Sequence, residues 1–154
     1  MDALSVTQDT AATPDVHALL IRHFELMRAA SPAESCHVLE PGTLLDTGAV
    51  LFAARSEGTL LGVGALATLE PTHGELKSMH TAAAARGRGV GAALVAALMD
   101  HARTRGMTRL SLETGSDALF APARALYSAH GFTLCAPFGD YVLDPLSVFM
   151  TRTL

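Results

Sequence analysis

The sequence predicts an α+β, or mixed α/β, domain, and three observations predict it. Apolar runs from Ala49 to Arg55 and from Thr59 to Leu69 flank Ser56-Glu57-Gly58, which reads as a hairpin turn between two strands. The hydrophobic period then lengthens: after a glycine-rich stretch, Val90, Leu94, Ala97, Leu98 and His101 recur as one helical face. Strand-like segments lie on both sides of that helix, so the order is antiparallel strands, helix, strand, helix and two last strands.

Taken in order, Ser5 to Asp9 reads as a short first strand. Thr13-Pro14-Asp15 starts a helix, with Thr13 as N-cap and Pro14 at the first position. That helix carries Val16, Leu19, Leu20, His23, Phe24 and Met27 at helical spacing, and Ser31-Pro32 stops it. The segment Ala33 to Thr47 stays open between loop and helix, with Leu44-Leu45 on a second short helix. Pro71 to Gly74 makes a turn. Glu75 to Thr81 follows as a strand whose alternation puts Glu75, Lys77, Met79 and Thr81 on one face and Leu76, Ser78 and His80 on the other. The central helix closes near Arg105-Gly106, with basic residues in its last turn. Met107 to Thr114 is a strand with Leu110 and Leu112 on one face. Ser116 or Asp117 caps a helix running to His130 and ended by Gly131. Phe132 to Cys135 and Val148 to Thr153 are the last strands, joined by the loop Ala136 to Ser147.

The chain of 154 residues is 49% apolar and 17% charged, a globular composition that fits one domain over residues 1–154. Eleven basic against fifteen acidic residues leave a net charge of −4, which argues against a nucleic-acid partner held by phosphate contacts. No apolar run is long enough for a membrane span. Met1 to Ala12 is polar and holds no signal-type apolar core, so a cytoplasmic location is expected. Cys36 and Cys135 form no metal-spaced pair and read as buried reduced thiols; no metal site is expected.

The chemistry-bearing stretch is Arg86-Gly87-Arg88-Gly89-Val90-Gly91, where a strand meets a helix through three glycines in five residues. Glycine lets the backbone approach a ligand, and the free N–H groups of a helix's first turn, aided by the helix dipole, hold phosphate. Arg86 and Arg88 add positive charge. No Lys-Ser or Lys-Thr follows, so this is not a nucleotide-triphosphatase loop. Gly87, Gly89 and Ala92 also fit the dinucleotide fingerprint, with Glu113 as its ribose-binding acid. Against a nicotinamide dinucleotide stand the hairpins before the loop, the short remainder of the chain after it, and the two arginines, which that reading leaves unexplained.

Arg86 through Gly91 matches the Q/R-x-x-G-x-G/A motif of the GNAT superfamily of N-acetyltransferases. The strand Glu75 to Thr81 resembles the family's fourth strand, and Leu126-Tyr127-Ser128-Ala129-His130-Gly131-Phe132 resembles its L-Y-x-x-x-G-F signature. The resemblance covers roughly Val50 to Leu154. It implies a central, mostly antiparallel mixed sheet flanked by about four helices and splayed between strands four and five. It also implies acetyl-CoA as co-substrate, with its pyrophosphate on Arg86, Gly87, Arg88, Gly89, Val90, Gly91 and Ala92. The pantetheine arm would pair with the strand edge at Met79, His80 and Thr81. Tyr127 would assist departure of the thiolate. Glu75 and Glu113 are the candidate bases, with His80 and His73 behind them.

The acceptor pocket implied by the family lies between Ala33 to Leu45 and Ala136 to Ser147. His37, Asp140 and Tyr141 are its candidate contacts. Glu34, Glu40, Asp140 and Asp144 suggest a cationic acceptor, such as a polyamine or a free amino group, and a short lone domain fits a small-molecule primary amine best. A homodimer is expected by analogy only. A non-catalytic acyl-CoA sensor of the same fold is the alternative reading.

Overall fold

The computed structural model describes residues 3–154. Seven strands form one sheet: β1 (Ser5–Asp9), β2 (Val50–Ser56), β3 (Thr59–Glu70), β4 (His73–Thr81), β5 (Arg109–Gly115), β6 (Thr133–Leu134) and β7 (Ser147–Thr153). Their order is β1-β2-β3-β4-β5-β7-β6. Every neighbouring pair is antiparallel except β4 and β5, which are parallel. Four α-helices accompany them: α1 (Pro14–Ala30), α2 (Pro41–Asp46), α3 (Val90–Thr104) and α4 (Ala121–Ala129).

The helices cover both faces because both faces are apolar. On one face, Val95, Leu98, Met99 and Ala102 of α3 and Tyr127 of α4 pack against Leu66, Leu76, Leu110, Leu112 and Met150. On the other, Val16 and Leu20 of α1 and Leu44 of α2 pack against Leu51, Ala53, Val63 and Ala65. Each fully buried aliphatic side chain contributes about 1.5–3 kcal/mol relative to exposure. The alternation along β3 sends Val63 and Ala65 to α1 and Leu66 to α3, as a period of two requires.

The first hairpin matches expectation. Glu57 and Gly58 have φ of 49° and 79°, both positive, as a two-residue type I′ turn demands. The next turn is tighter than expected: only Pro71 and Thr72 lie outside the strands, so His73 and Gly74 belong to β4. Thr13 is the N-cap of α1, but its hydroxyl donates to Asp9 Oδ1 (2.6 Å) rather than capping the helix. Asp117 does cap, accepting from the Leu119 amide (2.9 Å). It caps a 3₁₀ turn over Ala118–Phe120, and α4 begins only after that turn. The strand expected from Phe132 to Cys135 shrinks to Thr133–Leu134.

The largest departure from the sequence reading lies in β4. Its register against β3 jumps from Ala65↔Lys77 to Val63↔His80, so Gly64 faces two residues, Ser78 and Met79. This is a β-bulge, and Ser78 carries the positive φ, 54°, that it needs. The bulge inverts the alternation beyond it. Met79 turns to the α3 face and fills the space over Gly64, where an added Cβ would collide with its sulfur. His80 turns to α1. The expectation that Met79 and Thr81 share a face with Glu75 is therefore corrected: the shared face runs Glu75, Lys77, His80.

Candidate active site

The parallel ladder is short. It pairs His73↔Arg109, Gly74↔Leu110, Glu75↔Ser111 and Leu76↔Leu112, and then ends. Beyond it β4 continues to Thr81 against β3 only, and β5 continues to Gly115 against β7 only. The two strands separate from Lys77 and Glu113 onward, and β4 presents an unpaired edge to the opening.

At the end of β4 a 3₁₀ turn, Ala83–Ala85, leads into the glycine-rich loop. Gly87 and Gly89 adopt φ of 78° and 79°, which other residues rarely reach. Gly89 is the N-cap of α3, and the Ala93 amide donates to its carbonyl (3.1 Å) as the first bond of the helix. The amides of Gly89, Val90, Gly91 and Ala92 are thus without intrahelical partners. Val90 is buried beside Ala54, Leu61 and Leu94 and anchors the helix start, while Arg86 and Arg88 are exposed. This arrangement suits an anion such as a pyrophosphate.

His80 does not face the opening as a free group. Its Nδ1 lies 3.0 Å from Nδ1 of His23 on α1, so one ring donates and the other accepts. Burial, reinforced by the neighbouring His80, holds His23 down to about 4. Burial also lowers His80, with the positive charges of Arg86 and Arg22 acting in the same direction.

On the α1 face, at the root of the opening, the sheet gathers charge. Glu75 is 5% exposed. Its Oε2 accepts from the Tyr141 hydroxyl (2.5 Å) and from Lys77 Nζ (3.2 Å), and Lys77 Nζ also donates to Tyr141 Oη (3.0 Å). Tyr141 is pushed up by burial and by the charge of Glu75. Across the opening, burial raises Glu113 to about 7, against the pull of Lys77. The loop between β6 and β7 forms a lid of rings over this cluster. Tyr141 meets His37 edge-on at 5.0 Å, Phe138 at 5.1 Å and Phe149 at 5.6 Å. Asp144 accepts from Ser35 Oγ (2.7 Å) and so ties this loop to the segment between α1 and α2.

Tyr127 is 6% exposed, packed edge-on to Phe132 at 6.0 Å. Its hydroxyl has no hydrogen-bond partner among the described residues, and burial, then the charge of Glu113, keeps it protonated well above its ordinary value. His73 is drawn elsewhere: Nε2 lies 2.7 Å from Ser111 Oγ, which meets Thr151 Oγ1 at 2.9 Å.

The structure thus brings Glu75, Glu113, His37 and Tyr141 to one side of the opening. It does not bring Asp140 there: that residue is exposed and makes no hydrogen bond or ion pair among the described residues. Of the other loop carboxylates, Glu34 and Glu40 are exposed and Asp144 accepts from Ser35. Both cysteines are free but half-buried rather than buried. Sequence reasoning gave no site role to Lys77 or His23. The signal for Lys77 was its spacing of two from Glu75; His23 looked like an ordinary member of an apolar helical face.

The dinucleotide reading fails on topology, because the strand before the glycine loop pairs antiparallel with its predecessor. Comparison with known proteins points one way. Residues 14–132 match the model of the acetyltransferase (GNAT) family. The chain is 44% identical over 139 residues to the uncharacterized N-acetyltransferase YsnE of Bacillus subtilis, covering 90% of this chain and 92% of that one. A crystal structure from Klebsiella pneumoniae subsp. pneumoniae, assigned as an acyl-CoA N-acyltransferase, superposes with a TM-score of 0.79 at 31% identity, covering 98% of this chain and 97% of that one. A GNAT family acetyltransferase from Elizabethkingia anophelis, solved with acetyl-CoA bound, shares the fold at a TM-score of 0.73 and 19% identity over the full length of both chains. With the splayed parallel pair and the glycine-capped helix, these matches establish that the chain belongs to the GNAT family of acetyltransferases and is an acyl-CoA-dependent N-acyltransferase.

Proposed function

We infer that the protein acetylates the primary amine of a small molecule by direct attack on acetyl-CoA, with Glu113 as general base and Tyr127 as donor to the departing thiolate. The observation that carries the reading is the position and state of Glu113. It is the first residue of β5 beyond the parallel ladder, it is half-buried, and burial pushes its pKa up to about 7. A base is most effective when its pKa lies near the working pH. Glu75, the other candidate, is already engaged at Oε2 by Lys77 and Tyr141.

The acceptor enters as an ammonium ion and passes a proton to Glu113, and the neutral nitrogen then adds to the thioester carbonyl. The carbon–sulfur bond breaks, the second amine proton leaves to solvent, and Tyr127 supplies a hydrogen bond or proton to the sulfur. The products are the acetamide, coenzyme A and one released proton. Arg86, Arg88 and the amides of Gly89 to Ala92 are the proposed holders of the pyrophosphate, with the unpaired edge of β4 near Met79 and Thr81 receiving the pantetheine arm. Val90 acts by anchoring the helix start.

Calorimetric titration with acetyl-CoA, followed by thiol release from an amine panel at several pH values, tests the reading. Micromolar affinity that falls on Arg88→Ala, and turnover that rises with pH through about 7 and loses that limb in Glu113→Gln, are the expected results. Unchanged affinity in Arg88→Ala, or a pH limb that survives Glu113→Gln, refutes the corresponding assignment.

A further inference from the structure

We propose that Lys77 selects the acceptor, and that the acceptor is an amino acid or a similar amine bearing a carboxylate. The inference rests on the transfer reaction above and adds its substrate class.

Lys77 is the first residue of β4 beyond the parallel ladder, level with Glu113 on β5. Its side chain is 15% exposed and Glu75's is 7% exposed. A lysine ammonium has three donors. One goes to Glu75 Oε2 and one to Tyr141 Oη. The third has no partner among the described residues, and neither does Glu75 Oε1. The root of the opening therefore presents one free ammonium donor between two carboxyl groups, Glu75 and Glu113.

That alternation of charge matches a zwitterion. The acceptor's carboxylate meets Lys77 and its ammonium meets the carboxyl groups on either side. Strand geometry places the match usefully. The bulge starts at the residue after Lys77, so a carboxylate on Lys77 lies about one or two residue steps, each ~3.3 Å, from the strand edge beside the thioester. A polyamine fits poorly, because a second cationic centre would fall against Lys77. A neutral monoamine leaves the third donor of Lys77 unpaired once the site closes. The rings of Tyr141, His37 and Phe138 pack edge to face beside the cluster, and an acceptor seated against them would lower the local dielectric and raise the weight of these charges. Lys77 also neutralises Glu75, and a purely structural role of that kind would affect every acceptor alike.

The experiment measures kcat/KM by thiol release for a panel of free amino acids, each beside its own carboxamide, with wild-type protein, Lys77→Arg and Lys77→Met. Acetyl-CoA affinity is measured by calorimetry for each protein. Wild type is expected to prefer the carboxylate over the matched carboxamide by about tenfold or more, mainly through KM. Lys77→Arg should keep the preference and Lys77→Met should erase it, both with acetyl-CoA affinity retained. Equal use of acid and amide by the wild-type protein overturns the proposal, which remains decidable even if Lys77→Met does not fold. So does a preference that survives in Lys77→Met, or turnover of amines outside both series only. Loss of acetyl-CoA binding by the wild-type protein would instead sink the underlying transfer reading.

Discussion

His23 is buried and Glu113 half-buried, and their pKa values are pushed in opposite directions, with consequences that differ in sign. Glu113 rises from 4.5 to about 7 through burial. Between those values the folded chain keeps a proton that the unfolded chain has lost, so stability falls as pH rises across the window, by a total on the order of 3 kcal/mol. Glu113→Gln should flatten that fall, seen as a melting temperature at pH 8 that moves up relative to wild type while the value at pH 4.5 does not. His23 falls from 6.5 to about 4. There the unfolded chain binds the proton first, so stability drops as pH is lowered from 6.5 toward 4, by ~1.4 kcal/mol per pH unit. His23→Gln, which keeps a partner for His80, should shift the midpoint of acid unfolding downward; an unmoved midpoint would show that the pair does not drive acid unfolding. Tyr127 gives a third test. Its hydroxyl has no hydrogen-bond partner among the described residues, so Tyr127→Phe should leave thermal stability and acetyl-CoA affinity near wild type and lower kcat by about 10²-fold.

The elements differ in how far the sequence betrays them. The hairpin at Glu57-Gly58 and the helix after Gly89 were legible because each is fixed by local chemistry: positive φ at a turn, free amides at a helix start. The bulge in β4 was not. An alternating pattern assumes equal spacing, and a single inserted residue resets it without changing composition. Its cause lies on the neighbouring strand, where Gly64 leaves the space that Met79 fills. Gly64→Ala puts a methyl group into that space and should cost about 1–3 kcal/mol by displacing Met79. Because the bulge borders the opening, the same variant should weaken acetyl-CoA binding in calorimetry; unchanged affinity would detach the bulge from the cofactor site. The short β6 and the α1–α2 segment were illegible for another reason. Their conformations are set by contacts made far along the chain, such as Ser35 with Asp144.

At the scale of the molecule, the fold class and the glycine loop were readable because both are written in long, strongly patterned stretches. The acceptor side was less legible. Acidic loop residues were weighed by number, whereas the structure leaves Glu34, Glu40 and Asp140 in solvent and builds its charge cluster from the sheet residues Glu75, Lys77 and Glu113. Among the described residues no helix is long and apolar enough to cross a membrane.

Four residue pairs are all that zip β4 to β5. The sheet is thus two plates, β1 to β4 and β5 to β7, stitched by a seam only half as long as the strands on either side, with α3 lying across the join. A cofactor arm laid along the free edge of β4 would act as a missing stitch, so occupancy should stiffen the seam itself. In hydrogen exchange, acetyl-CoA should slow the amides of Lys77 to Thr81 far more than those of the β2–β3 hairpin, and uniform slowing across both would mean that the ligand only shifts the global unfolding equilibrium.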